Sequence, residues 1–326
     1  MQSKSDTKQV PLMKRFRISD YMVYIVFAFT LLFFAVWLGG TFFSVTNILN
    51  ITRQTAMVSV MAVAMVFVIS SGNIDLSIGS TVALTALVSA VVLQNTGSIP
   101  LAVAVGILIG AVIGLINGIL ITKVGIPSFL ATLGVGGVVK GTAMWATNTA
   151  AIPITNPTFI NMFGLGHTFG IPNLFLWTIC VMLVGHYILN YMGFGKKTLA
   201  VGGNAMAAKY TGIKVDRVTI QVMIMSSVSA VLAGLLYSGR MQAARYTFGE
   251  GDELNVIAAV IVGGTSMAGG KGSVVGAVVG ALLMGMINNG LIIGGLNVSQ
   301  QVIVRGLIII IAVGIGTITN RYSKLK

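Results

Sequence analysis

GFGKKTLAVGGNAMAAKYTGIKVDR, Gly193 to Arg217, is the one long internal stretch of this sequence that is both polar and basic. It carries Lys196, Lys197, Lys209, Lys214 and Arg217, and on both sides the chain returns to apolar runs of about 20 residues, the length of helix that crosses a bilayer core. The stretch divides the chain into two hydrophobic halves, and its charge orients the loops on either side of it. Within it, Asn204-Ala205-Met206-Ala207-Ala208 followed by Gly212 reads as a short exposed helix ended by glycine. Such a helix on the cytoplasmic face is a surface that an energising partner can grip.

The composition makes lipid the solvent. Only 8% of the 326 residues are charged and 56% are hydrophobic, whereas a soluble domain carries about 25% charged residues to cover its surface. The net charge of +13 does not form a nucleic-acid patch, because lysines and arginines stand singly or in short groups at the ends of apolar runs. That arrangement orients membrane helices. The single cysteine, Cys180, excludes an internal disulfide.

The expected fold is an all-α polytopic membrane protein of about ten transmembrane helices, over residues 21–38, 55–70, 78–93, 99–121, 128–147, 174–190, 218–238, 254–267, 273–293 and 300–318. Residues 1–20 form a cytoplasmic tail, 21–320 a single membrane domain and 321–326 a second cytoplasmic tail, with an outer loop at 148–173. The eighth span is short for a crossing and reads either as a short helix or as a broken one ending in Gly263-Gly264-Thr265-Ser266. With both termini inside, the N-terminal lysines and arginines, Lys123, the central five, Lys271 and the C-terminal cluster share one side. Arg53, Arg240 and Arg245 then lie opposite with Glu250, Asp252 and Glu253, the asymmetry that the positive-inside rule predicts. Gly79-Ser80 and Gly272-Ser273 open similar small-residue spans, which makes the two halves candidates for an inverted repeat. In the fourth span Gly106, Gly110, Gly114 and Gly118 recur on one face and predict a tight helix contact.

Few residues offer chemistry, and none form a catalytic set. No phosphate-cradling glycine loop backed by Lys and Ser/Thr occurs, so nucleotide hydrolysis of the P-loop kind is not encoded. His167 and His186 lie apart, without cysteine or carboxylate at ligand spacing, and no metal site is expected. Asp75 is the most informative carboxylate. An ionisable group at membrane depth is expensive and marks function, while a helix-capping role for the span that follows reads equally well. Asn117, Asn288, Asn289, Gln300 and Gln301 interrupt apolar helices. They suit either a lining for an uncharged polar solute or hydrogen bonds between helices. Glu250, Asp252 and Glu253 read as a solvated face or as a docking site for an outer soluble partner.

Three stretches carry a resemblance. LAVGGNAMAAKYTGIKVDR is similar to the cytoplasmic coupling segment of ribose-type permeases of bacterial ATP-binding cassette importers. SSGNIDLSIGS resembles their Gly-Ile-Asp-Leu-Ser-Val-Gly signature, and GDELNVIAAVIVGGTSMAGGKGSVVGAVVGALLMGMINNGL extends the likeness, which runs from about Tyr21 to Val313. The resemblance implies a multi-pass subunit of a bacterial inner membrane that forms the pathway for a monosaccharide such as ribose and is not itself an enzyme. It implies no cofactor on this chain, ATP-Mg on separate cytoplasmic ATPase subunits, a periplasmic or lipid-anchored binding protein, and a second permease subunit, the same or homologous. Gly203, Asn204, Ala207, Ala208, Lys209 and Gly212 would then belong to the coupling helix and its flank, and Asp75 would be the signature aspartate. Asn73 departs from the pattern as an extra residue between Gly72 and Ile74. A sugar-like signalling molecule, a nucleoside or a branched-chain amino acid would suit the same architecture. A stand-alone secondary transporter is the reading from outside it, and it requires an ion site that the sequence does not display.

Overall fold

The computed structural model describes residues 22–304 together with 306–308, 310 and 314. The two expected tails, and nine of the nineteen residues of the expected span at 300–318, lie outside the described residues. Eight segments among the described residues are long and apolar enough to cross a membrane, and they form one multi-pass helical bundle.

The helices are α1 (Met22–Leu38), α2 (Val45–Ser70), α3 (Ile78–Thr96), α4 (Ile99–Ile119), α5 (Ser128–Thr147), α6 (Pro157–Ile160), α7 (Asn173–Tyr191), α8 (Gly193–Gly203), α9 (Ala205–Tyr210), α10 (Val215–Met241), α11 (Asp252–Val262) and α12 (Val274–Ile293). A π-helical turn, Leu120–Val124, prolongs α4. Local chemistry sets the ends. Ser44 caps α2 by accepting from Asn47 N at 3.3 Å, and Ser98 caps α4, with Pro100 in its first turn. Ser273 caps α12 by accepting from Gly276 N at 3.0 Å. Gly97 stops α3 in the left-handed conformation, φ 66°, which glycine adopts without strain.

Two expected boundaries shift. α2 begins at Val45, ten residues before the expected 55, because Asn47, Asn50, Thr52, Arg53 and Gln54 are polar enough to hide a helix from a hydropathy reading. The expected eighth span is only α11, eleven residues long, and it does not meet the length of a crossing. It is the short helix of the two alternatives, unbroken from Asp252 to Val262 and ending at Gly263, and the chain reaches it through turns at 245–251.

Helix α2 is the central post. From Thr55 to Ser70 nearly every side chain is buried, as an all-round apolar helix requires, and α10, α12, α7 and α11 pack around it. Phe67 of α2 stacks on Phe194 of α8 with ring centroids 5.9 Å apart. The glycine stripe of α4 meets α10. A Cβ on Gly110 would strike Val231, one on Gly114 the backbone of Met223 and Ile224, and one on Gly118 Ile220. α1 is the least enclosed span and packs on α12 through Phe34.

Residues 148–172 form compact structure at one end of the bundle. β1 (Ile152–Pro153) pairs antiparallel with β4 (Ala243–Ala244), and β2 (His167–Thr168) pairs with β3 (Ile171–Pro172). These four two-residue strands are the departure from an all-α chain. Gln94 Nε2 donates to Pro153 O at 2.7 Å, and Arg53 Nη2 lies 2.7 Å from His167 Nε2. The far ends of α2 and α3 are thereby tied to the same cap. The opposite end carries α8, α9 and the basic residues of the central stretch, with Lys123 paired to Asp216 at 2.9 Å on the surface.

Candidate functional site

The segment between α2 and α3, residues 71–77, has no regular structure, yet it sits inside the bundle. Its backbone groups need partners there, and α5 supplies them. Ile74 N donates to Ser128 Oγ at 3.1 Å and Leu76 N to Thr132 Oγ1 at 3.0 Å. Four residues apart, Ser128 and Thr132 share one helix face.

Asp75 lies fully buried at the middle of this segment. Its Oδ1 accepts from Ser77 N at 2.8 Å and from Ser77 Oγ at 2.6 Å, and its Oδ2 accepts from Ser226 Oγ of α10 at 2.7 Å. Asn117 of α4 donates from Nδ2 to Ser77 Oγ at 2.8 Å. One carboxylate therefore joins the 71–77 segment, α4 and α10. Ser226 stands eleven residues into α10 and Asn117 seven before Val124, which puts the hub about 10–16 Å inside the basic end at 1.5 Å per residue. Three donors replace the water that the carboxylate gives up, each a charge-assisted bond. The start of α3 has no side-chain cap bond: Asp75 accepts from the N–H of Ser77, the residue before the helix, and not from the N–H groups near Ile78. The extra Asn73 bonds Ser71 Oγ from Nδ2 at 3.0 Å and so stays within the turn.

Asn117 Oδ1 and Ser227 Oγ are buried without a hydrogen-bond partner, as are Asn288 Oδ1 and Asn289 Oδ1 of α12. The structure thus brings Asp75 and Asn117 into one network and places Asn288 and Asn289 on a different helix.

The central stretch is an elbow of two helices. Asn204 ends α8 and caps α9, its Oδ1 accepting from Ala207 N at 3.0 Å. Gly212, φ 85°, ends α9, and Ile213 N returns to Ala208 O at 3.0 Å. Ala208 is buried, while Met206 and Tyr210 are 61% and 84% exposed. Lys209 is exposed beside them. The elbow touches the bundle through glycine. Gly202 packs so closely on Ser70 O that no side chain fits between them, and a Cβ on Gly269 would strike Gly202 O. Gly270 N donates to the same Ser70 O at 2.9 Å, and Ser70 Oγ donates to Lys271 O at 3.3 Å. The end of α2, the elbow and the glycine-rich turn after α11 therefore meet at one point.

The three acidic residues near α11 separate. Tyr237 Oη donates to Asp252 Oδ2 at 2.6 Å, and Asp252 is buried, so it is not open to a soluble partner. Glu250 pairs with Lys140 of α5 at 2.6 Å. Glu253 is half-buried, with its carboxylate over Gly79. Sequence reading missed Lys140, a lone cation within the span 128–147, and also missed Ser226, which nothing local links to Asp75. Among the described residues no group of three or more His, Cys, Asp or Glu stands together to hold a metal ion.

Residues 47–313 match the family described as branched-chain amino acid transport system / permease component. The chain is 38% identical over 280 residues to the ribose import permease protein RbsC of Escherichia coli strain K12, covering 85% of this chain and 87% of the relative. It is 39% identical over 278 residues to the RbsC of Bacillus subtilis, covering 85% and 86%. Against the L-arabinose ABC transporter permease protein AraH of Azospirillum brasilense it is 34% identical over 272 residues, covering 83% and 80%. No solved structure matches the chain.

Proposed function

The chain belongs to the branched-chain amino acid transport system / permease component family, and from that premise we propose that it is the membrane subunit of an ATP-driven importer for a monosaccharide such as ribose or arabinose. The observation that carries the mechanism is the glycine contact at Ser70. The basic-end elbow touches the end of α2 and the turn after α11 backbone to backbone, so displacement of α9 reaches both without a flexible side chain between. ATP-Mg binds and is hydrolysed on a separate ATPase subunit. α9 seats in that subunit, with Met206 and Tyr210 as apolar contacts, Lys209 beside them, and Gly203, Asn204, Ala207, Ala208 and Gly212 setting the shape of the elbow. Two such permease subunits, the same or homologous, enclose the pathway, and a periplasmic or lipid-anchored binding protein delivers sugar at the hairpin end.

The topology that suits this mechanism has both termini in the cytoplasm and about ten membrane passages, with α11 and residues 242–251 together forming one of them and 300–318 another. Residues 21–320 then form a single membrane domain of the inner membrane with two short tails. The irregular turns at 71–77 and 263–273 meet near Ser70, an arrangement that suits two inverted halves. A neutral polar cargo suits the groups available inside, because hydroxyls and amides bind sugar hydroxyls without desolvating a full charge. Asp75 and its partners pin the moving elements. Asn288 and Asn289 are assigned to the lining of α12.

The test is uptake of radiolabelled D-ribose and L-arabinose into vesicles holding this chain with its ATPase subunits and binding protein. ATP-dependent accumulation that requires all components is expected. Accumulation by the chain alone would overturn the proposal, and a bound amino acid in the co-purified binding protein would redirect the cargo.

A further inference from the structure

Lys140 is a cation in the outer part of a spanning helix. It lies seven residues before the end of α5, about 10 Å from that end, and its Nζ is 2.6 Å from Glu250 Oε1. Ionisable groups on membrane helices are costly and face a cavity, a partner or a pathway. The pair is neither sealed nor loose, its side chains 39% and 57% exposed.

What lies beneath Lys140 gives the pair a direction. Ser128, Thr132, Gly136 and Lys140 recur every four residues and follow one face of α5. Ser128 and Thr132 bond the 71–77 segment, and Gly136 lies against Ser80 Oγ and Ser77 Cα. This face of α5 thus runs from the Asp75 hub past Gly136 to the ion pair, about 12 Å along the helix from Thr132. On the other side of the pair, Gly249 and Gly79 approach so closely that neither has room for a Cβ, which holds Glu250 at this depth. Gly137 and Gly141 flank Lys140 with open space above them.

We propose that Lys140 and Glu250 form a binding station for a polyol in the permeation pathway. The ammonium donates to a sugar hydroxyl, and the carboxylate accepts from a neighbouring one. Each hydroxyl both donates and accepts, so a vicinal diol bridges the bonded pair from its open side, one hydroxyl on the ammonium and its neighbour on the carboxylate. Because the pair is neutral in sum, it attracts neither cations nor anions from solution and selects for an uncharged solute. This inference rests on the sugar-permease reading above.

The experiment compares Lys140→Met and Glu250→Gln with the wild-type chain in vesicles holding the complete complex. Uptake of radiolabelled D-ribose and of L-arabinose is measured beside ATP hydrolysis stimulated by the binding protein. Each variant is expected to lower uptake about tenfold, the equivalent of one lost charge-assisted hydrogen bond. Stimulated hydrolysis should stay within about twofold of wild type, and Lys140→Arg, which keeps a donor, should retain most of the uptake. Wild-type uptake in both single variants overturns the station. So does equal loss of uptake and hydrolysis in properly inserted protein, which would make the pair a structural strut. If the wild-type complex shows no ATP-dependent uptake of either sugar, the sugar-permease reading fails, and the station fails with it.

Discussion

Ser226 donates its hydroxyl to Asp75 Oδ2 at 2.7 Å across 151 residues of sequence. That bond joins an irregular turn of the first half of the chain to the middle of a helix in the second. Asp75→Ala removes the acceptor for three donors and leaves the Ser77 and Ser226 hydroxyls buried without it, at about 1–3 kcal/mol for each unsatisfied group. Thermal unfolding in detergent should show a large drop for Asp75→Ala. Asp75→Asn keeps a side-chain carbonyl acceptor and should fall between Ala and wild type. Equal melting temperatures for all three would show that the hub does not hold the bundle together.

Glycines on α4 and α5 should respond in opposite ways. Gly114→Val places a branched side chain against the backbone of Met223 and Ile224. Backbone cannot turn aside, so this exceeds the about 1–3 kcal/mol typical of an overpacked core. Gly134 and Gly141 on α5 have no heavy atom within 4 Å of an added Cβ, and Gly→Ala there raises helix propensity by about 0.8–1 kcal/mol. Yield of folded protein should collapse for Gly114→Val and hold for Gly141→Ala.

These two sets of glycines also show what could be read from the sequence. The period of four on α4 was enough to predict a close helix contact, and the structure supplies the partner as α10. The central basic stretch likewise gave a short helix closed by Gly212. Sequence reading could not pair Asp75 with Ser226, because serines in an apolar helix are common and only tertiary packing selects one. It also placed Glu250, Asp252 and Glu253 together by adjacency, whereas the turn at Gly251 and the start of α11 send them to Lys140, Tyr237 and Gly79 respectively. The late prediction of α2 has a physical cause too: its first turns are polar and half-exposed, and hydropathy measures burial in lipid rather than helical backbone.

The elbow should transmit force without contributing to insertion. Gly212 has φ 85° and donates its N–H to Lys209 O at 3.0 Å, and proline can satisfy neither requirement. Gly212→Pro is therefore expected to disorder the end of α9 and to abolish binding-protein-stimulated ATP hydrolysis, with normal amounts of protein in the membrane. Tyr210→Ala removes the most exposed apolar contact of α9 and should weaken co-purification of the ATPase subunit. Normal stimulation in both variants would remove α9 from the coupling surface.

Gly202 gives the sharpest test of how motion enters the bundle. A Cβ added there would strike Ser70 O, the oxygen that also accepts from Gly270 N. A methyl group at this position must push the elbow away from α2 or break the bond from Gly270. Gly203, one residue on, is looser: an added Cβ there meets only Gly270 Cα, at 3.9 Å. Gly203→Ala is thus the matched control, with the same change in composition and helix propensity but without the clash. Gly202→Ala should retain the ATPase subunit, because the surface of α9 is unchanged, yet lose sugar uptake, because the contact that carries its displacement is displaced. Gly203→Ala should do neither. If Gly202→Ala transports as well as Gly203→Ala, the displacement reaches the pathway by a route other than Ser70, and the long side chains between α8 and α2, Phe194 and Phe67, become the elements to examine.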